Sequence, residues 1–142
     1  MLPNLHRQRY QECSEVLEHL QQTAASIQLD PPKLRNSFLE AQQFFQQQVV
    51  TLDAGELEPS YEPRVRSYQT EMSKQLRLLG MDVIFIQAAR QKETVEGRQR
   101  QLGDRLKTLI SYCDAILQLN WFKSHQENNL EIISSLSIIK SI

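Results

Sequence analysis

Apolar side chains recur at alternating spacings of three and four residues along most of the chain, a pattern typical of helices that pack lengthwise on one another. The clearest repeats fall at intervals of seven residues, at Val65, Met72, Leu79 and Ile86 and then at Val95, Leu102, Leu109 and Ile116. We predict helices over residues 3–28, 31–52, 61–90 and 94–119. Because only about three residues link the last two, these helices should be antiparallel. The pattern predicts an all-α antiparallel four-helix bundle with a short extra segment at the C-terminus.

Proline and glycine mark the ends of the predicted helices. The tripeptide Asp30-Pro31-Pro32 separates the first two helices, because proline lacks the backbone N–H and suits a first helical turn. Gly55 is expected to be the C-cap of the second helix, before an extended acidic connection that reaches residue 63. Gly80 lies inside the third helix at a cost of about 1 kcal/mol relative to alanine. We expect it to mark the close approach of another helix or a slight bend.

Two of the apolar stripes include more residues than the contact with one neighbouring helix requires. The stripe of the first helix continues to Ile27, which predicts that this residue is part of the core. In the second helix Leu39 and Phe44 widen the stripe, so we expect that helix to be buried on more than one side.

The C-terminal residues differ in character from the four stripes. Residues 124–129 are polar, and residues 130–142 are rich in isoleucine with a spacing that fits either a helix face or alternating strand positions. We therefore divide the chain into a helical bundle domain at residues 1–122 and a linker with an Ile-rich tail at residues 123–142. We expect the tail to dock, on the bundle first and on a partner as the alternative.

Charge is balanced over the chain but unevenly distributed. The 142 residues carry 16 Lys and Arg against 17 Asp and Glu, whereas residues 61–110 alone carry 10 Lys and Arg against 6 Asp and Glu. The overall balance supplies no general attraction to polyanions, and DNA binding requires a denser basic stripe. The basic half instead favours contact with an acidic protein surface or head-to-tail self-association.

Helical geometry separates the basic residues into two groups. Arg98 and Arg105 lie beside the stripe of the fourth helix, at the level of Asp82 on the third. We predict a structural ion pair between Asp82 and Arg105, and a contact of Arg98 with Gln87. For Arg90, which precedes the link, we expect a cap on the last carbonyls of the third helix, with partner binding as the alternative.

The remaining cations are candidates for partner binding. Arg100 and Lys107 face away from the stripe of the fourth helix. We predict that a partner contacts them together with Arg64 or Arg66.

No motif for catalysis or ligand binding emerges. The histidines His6, His19 and His125 contain no pair at a zinc-ligand spacing, and no glycine-rich phosphate loop is present. Cys13 and Cys113 fall on apolar stripes, which favours buried thiols in a reducing compartment over a disulfide or a nucleophile. We therefore predict a non-enzyme with no metal, no cofactor and no small-molecule substrate.

The sequence also bears on the compartment. No segment approaches the roughly 20 apolar residues of a transmembrane helix, and the opening residues run into charge without an apolar stretch. We expect a cytoplasmic protein that does not engage membranes.

Residues 79–117, LGMDVIFIQAARQKETVEGRQRQLGDRLKTLISYCDAIL, and the opening MLPNLHRQRYQE resemble the PatD family of cyanobacterial heterocyst frequency control proteins. The resemblance implies a small cytoplasmic regulator of heterocyst differentiation that acts on the assembly of the tubulin-like division protein FtsZ. A dimer of such a regulator could cross-link filaments. The resemblance assigns no site residues. The alternatives are a DNA-binding regulator of differentiation and a coiled-coil adaptor of an unrelated pathway.

Overall fold

The computed structural model describes the backbone of residues 2–140 and the side chains of residues 2–119. It contains four α-helices, α1 (Asn4–Ala24), α2 (Pro31–Phe44), α3 (Glu62–Ala88) and α4 (Lys92–Lys140). Between α2 and α3 lie a π-helical turn at Phe45–Val49 and a 3-10 turn at Ala54–Glu56. Residues 2–140 contain no β-strand. The predicted all-α class and four-helix bundle are confirmed.

The helices run up and down in turn. Helix α4 packs along both α1 and α3, and α2 packs on the other side of the same pair. The ring centroids of Tyr68 on α3 and Tyr112 on α4 lie 5.7 Å apart, and Gln99 on α4 donates to the carbonyl of Ala24 at the end of α1. Both contacts require α4 to be antiparallel to its neighbours, as the short link predicts.

The seven-residue stripes form the core, except for Ile27 after the end of α1 and Val95 at the start of α4, which is half-buried. Val65, Met72, Leu79 and Ile86 are buried on α3, as are Leu102, Leu109 and Ile116 on α4. The prediction for Ile27 is wrong, because α1 ends at Ala24 and leaves this side chain fully exposed. The chain turns at this point, where the Ser26 hydroxyl donates to the carbonyl of Gln28.

Helix α2 begins as predicted and ends differently. Asp30 caps it by accepting the N–H of Lys33 at 3.2 Å, and prolines occupy its first turn. The predicted glycine C-cap at Gly55 is wrong, because no glycine in the described chain has a positive φ. The side chain of Asp53 instead accepts the N–H of Gly55 at 2.9 Å and starts the 3-10 turn.

One face of α2 remains open. Leu39 is exposed and Phe44 is only half-buried, so the expectation that this helix is buried on more than one side is wrong. The π-helical turn, in which Val50 N–H donates to the carbonyl of Phe45, keeps both Phe45 and Val49 in the core. The opposite side of α2 faces solvent.

Helix α4 is longer than predicted. It continues through residues 124–129 to Lys140, so the predicted helix end near residue 119 is wrong. No glycine or proline occurs between residues 120 and 140, and polar composition alone does not interrupt a helix. The side chains of residues 120–142 lie outside the described residues, so the docking of the Ile-rich tail and the domain boundary at residue 122 stay predictions.

None of the helices in the described part of the chain combines the length and the apolar character needed to cross a bilayer.

Candidate protein-docking groove

The four cations predicted to bind a partner do not share one surface. Arg100 and Lys107 are exposed on α4, beside the end of α1. Arg64 and Arg66 are exposed in the first turns of α3, where Arg66 pairs with Glu62. Arg100 and Lys107 border α1, whereas Arg66 lies on a surface formed by α3 alone. The rise of 1.5 Å per residue places Arg64 about 24 Å from Arg100 along the antiparallel pair. Their role in binding stays a prediction, and it applies to two separate patches.

The predicted ion pair between Asp82 and Arg105 is confirmed. Arg105 Nε donates to Asp82 Oδ2 at 2.8 Å, and Arg98 Nη1 lies 3.5 Å from Asp82 Oδ1. The predicted contact of Arg98 with Gln87 is wrong, because Gln87 Nε2 donates to the carbonyl of Pro31 at 2.6 Å. Asp82 is only 1% exposed, so without these two arginines its carboxylate would be a buried, unpaired charge.

Arg98 has a second contact on α3. Its guanidinium carbon lies 4.2 Å from the centroid of the Phe85 ring, which is a favourable distance for a cation–π interaction. Phe85 is otherwise exposed to solvent.

Arg90 does not cap α3 as expected. The helix ends at Ala88, and Ala89 N–H donates to the carbonyl of Ile86. Arg90 is exposed in the link, and no hydrogen bond from it to the helix carbonyls is present among the described side chains. The predicted cap is wrong, and the alternative of partner binding stays a prediction.

The core contains polar side chains, and the pKa values of two of them are raised. Cys13 and Cys113 are buried free thiols, and the hydrogen bond between them, followed by burial, raises the pKa of Cys113. Burial raises the pKa of Tyr10 to about 12, although a hydrogen bond from Gln69 Nε2 at 2.6 Å lowers it in part. His6 is buried with its Nε2 3.6 Å from a carboxylate oxygen of Glu56. A raised thiol pKa disfavours the nucleophilic thiolate.

Among the described side chains, no three His, Cys, Asp or Glu residues are placed to share one ion.

A groove lies between α2 and α3. It has a volume of about 980 Å³. The ring of Phe38 on α2 lies against Gly80 on α3, where an alanine Cβ would be 2.9 Å from Phe38 Cζ. This contact confirms the expectation that Gly80 marks the close approach of another helix. Buried apolar side chains form the floor of the groove, at Phe38, Phe45, Leu76 and Val83.

The walls of the groove carry exposed apolar side chains, at Leu39, Val50, Met81 and Ile84. Ile84 is 66% exposed, which is unusual for a large aliphatic side chain on a packed helix. Contiguous apolar surface of this kind marks interaction sites in soluble proteins. The apolar stripes do not predict the groove, although Met81 and Ile84 are apolar residues that lie off the core stripe of α3.

The charged residues of the groove are all cationic. Arg35 on α2 and Arg77 on α3 belong to opposite walls, and both are exposed. No carboxylate lines the groove, and neither arginine forms an ion pair among the residues with described side chains. The groove therefore combines an apolar floor with a positive rim.

Comparisons of the chain with protein-family models, with curated proteins and with solved structures gave no match.

Proposed function

We propose that this chain is a non-enzymatic regulator that acts by binding another protein in the groove between α2 and α3. The observation that carries the proposal is the open apolar groove, in which large aliphatic side chains such as Ile84 and Met81 remain in water. Burying such a side chain contributes about 1.5–3 kcal/mol, so an unfilled groove of this size favours association.

The proposed partner is FtsZ, and the proposed role is to set the frequency of heterocyst differentiation in the cytoplasm of a filamentous cyanobacterium. Support comes from the resemblance of residues 79–117 to the PatD family, because this stretch includes Gly80, Met81 and Ile84 on the α3 wall of the groove. The segment that resembles the family thus supplies one side of the proposed docking surface. A homodimer would further allow cross-linking of filaments.

Co-sedimentation with polymerised FtsZ tests the proposal. We expect the wild-type chain to pellet with the polymer, and Ile84→Glu to lower its apparent affinity at least about tenfold, since a charge would then face an apolar partner surface. The matched control is Leu5→Glu, which changes an equally large exposed aliphatic residue on α1, outside the groove. Both variants should keep the wild-type melting temperature.

Two results would refute the proposal: absence of the wild-type chain from the pellet, or pelleting of the Ile84→Glu variant at the wild-type level. The rival DNA-binding function predicts salt-dependent retardation of DNA at physiological ionic strength. Asp82 already engages Arg98 and Arg105, which lowers the positive charge that α4 offers to a phosphate backbone. An adaptor of another pathway would show neither FtsZ nor DNA binding.

A further inference from the structure

We propose that the occupant of the groove is an amphipathic α-helix of the partner, about four turns long, whose apolar stripe is bordered by carboxylates. This inference builds on the proposed function, because it takes the groove between α2 and α3 as the docking surface. It adds the secondary structure, the length and the sign of charge of the segment that binds.

The length follows from the walls of the groove. The lining residues extend from Arg35 to Val50, along α2 and the π-helical turn that follows it, and from Ser73 to Gln87 along α3. At 1.5 Å per residue, both walls are about 21 to 23 Å long. A helix of about 14 residues matches this length, and its apolar residues would repeat at i, i+4, i+7 and i+11 to face the floor.

The secondary structure follows from what the groove offers. Its walls are two helices whose backbone N–H and C=O groups are bonded internally, and residues 2–140 provide no strand edge. An extended segment would place unpaired backbone groups against the apolar floor, which is costly. A helix satisfies its own backbone and presents only side chains, as in other helix-in-groove complexes.

The charge follows from the rim. Arg77 on α3 lies level with Ala41 on α2, because Phe38 is level with Gly80 in this antiparallel pair. Arg35 is therefore about 9 Å from Arg77 along the groove, on the opposite wall. Carboxylates about six residues apart, one on each flank of the occupant's stripe, would meet the two cations. Exposed ion pairs add little affinity, but like charges at these positions repel, so the rim selects for an acidic segment.

Synthetic peptides test this proposal directly. The probe is a fluorescein-labelled 15-residue peptide in an alanine and glutamine host, with leucine at positions 2, 6, 9 and 13 and glutamate on both flanks of the stripe. A matched peptide carries lysine in place of each glutamate. Fluorescence anisotropy with the full-length protein should show at least tenfold tighter binding of the glutamate peptide at low salt. The difference should shrink in high salt, because screening weakens exposed pairs.

Variants then assign the contacts. The double change Arg35→Glu with Arg77→Glu should reverse the preference, so that the lysine peptide binds more tightly. Ile84→Glu should weaken both peptides, whereas Leu5→Glu should leave both unchanged. Equal binding of the two peptides to the wild-type protein would overturn the charge selection. A lack of binding by both would overturn the helical occupant.

The outcomes also separate this inference from the proposed function. Peptide binding without co-sedimentation would reject FtsZ as the partner and keep the groove as an acidic-helix site. Co-sedimentation that Ile84→Glu weakens, without discrimination between the peptides, would keep FtsZ and reject the acidic helix. A wild-type dimer that Ile84→Glu converts to a monomer, measured as mass in solution, would assign the groove to a second copy of the chain and overturn the proposal.

Discussion

The buried carboxylate of Asp82 allows a sharp test of the packing between α3 and α4. It is held by Arg105 at 2.8 Å and by Arg98 at 3.5 Å, both from α4. We consider two single changes, Arg105→Met and Asp82→Asn, and their combination. Methionine keeps the apolar stem of Arg105 packed, and asparagine keeps the shape of Asp82, so each change removes charge with little loss of volume.

The two single changes should differ in cost. Removing one partner of a fully buried pair costs about 3–5 kcal/mol, and removing an exposed pair costs at most about 1 kcal/mol. The side chain of Asp82 is 2% exposed, against 20% for Arg105 and 36% for Arg98. Arg105→Met leaves the buried carboxylate with only the more distant arginine, so we expect a loss of about 2–3 kcal/mol. Asp82→Asn leaves arginines that reach water, so we expect about 1 kcal/mol.

Urea unfolding followed by circular dichroism measures these costs. The double variant should be about as stable as Asp82→Asn alone, which corresponds to a non-additivity of about 2–3 kcal/mol. Arg100→Met is the matched control, because Arg100 is exposed on the same helix, and it should change stability by less than about 0.5 kcal/mol. A larger loss for Asp82→Asn than for Arg105→Met, or strict additivity of the two, would refute the reasoning.

Glycine and tyrosine substitutions provide further predictions. Gly80→Ala should destabilise the protein by about 1 kcal/mol, since the added Cβ would lie 2.9 Å from Phe38 Cζ. At Gly103 an added Cβ meets open space, so Gly103→Ala should stabilise the protein by about 0.5–1 kcal/mol. Equal effects of the two changes on the urea midpoint would contradict this prediction. The folded pKa of Tyr10, about 12, exceeds its ordinary value of 10.0, so the stability it confers is complete below pH 10 and falls as the pH rises towards 12. Tyr10→Phe should lower the free energy of unfolding by about 1 kcal/mol at pH 8, because Gln69 loses its acceptor. Between pH 10 and 12 the stability of the variant should decline less than that of the wild-type protein. Equal declines of the two proteins would contradict the raised pKa of Tyr10.

The core and the Asp82 ion pair were predictable because they depend on helical period and on the register of one short link. The stripes at Leu79 and Leu109 identify the faces that pack, and the link before α4 sets which residues are level. Helix ends were less predictable, since they depend on tertiary contacts as well as local signals. The chain leaves α1 at Ala24 although the stripe continues to Ile27, and α4 passes through residues 124–129 although they are polar.

The groove could not be predicted from periodicity, because it depends on whether another element of the fold covers the face between α2 and α3. A helix with apolar residues on two faces can be buried on both or open on one, and the sequence of α3 is compatible with either. Met81 and Ile84 distinguish the two only once the neighbours of α3 are placed. The exposed cations could likewise be predicted only in part. Arg64 and Arg100 are exposed as predicted, yet the lengths of the helices place them on separate patches.

The burial of both thiols has a practical consequence for locating the partner. Cys13 and Cys113 are the two cysteines of the chain, and both are enclosed in the core, with the pKa of Cys113 raised by its hydrogen bond to Cys13 and by burial. Maleimide reagents attack exposed thiolates, so the folded wild-type chain behaves as a cysteine-free background. A single change such as Ser73→Cys, at an exposed position on the groove wall, would introduce one accessible thiol. A fluorophore or crosslinker attached there would report occupancy of the groove without removing either native cysteine.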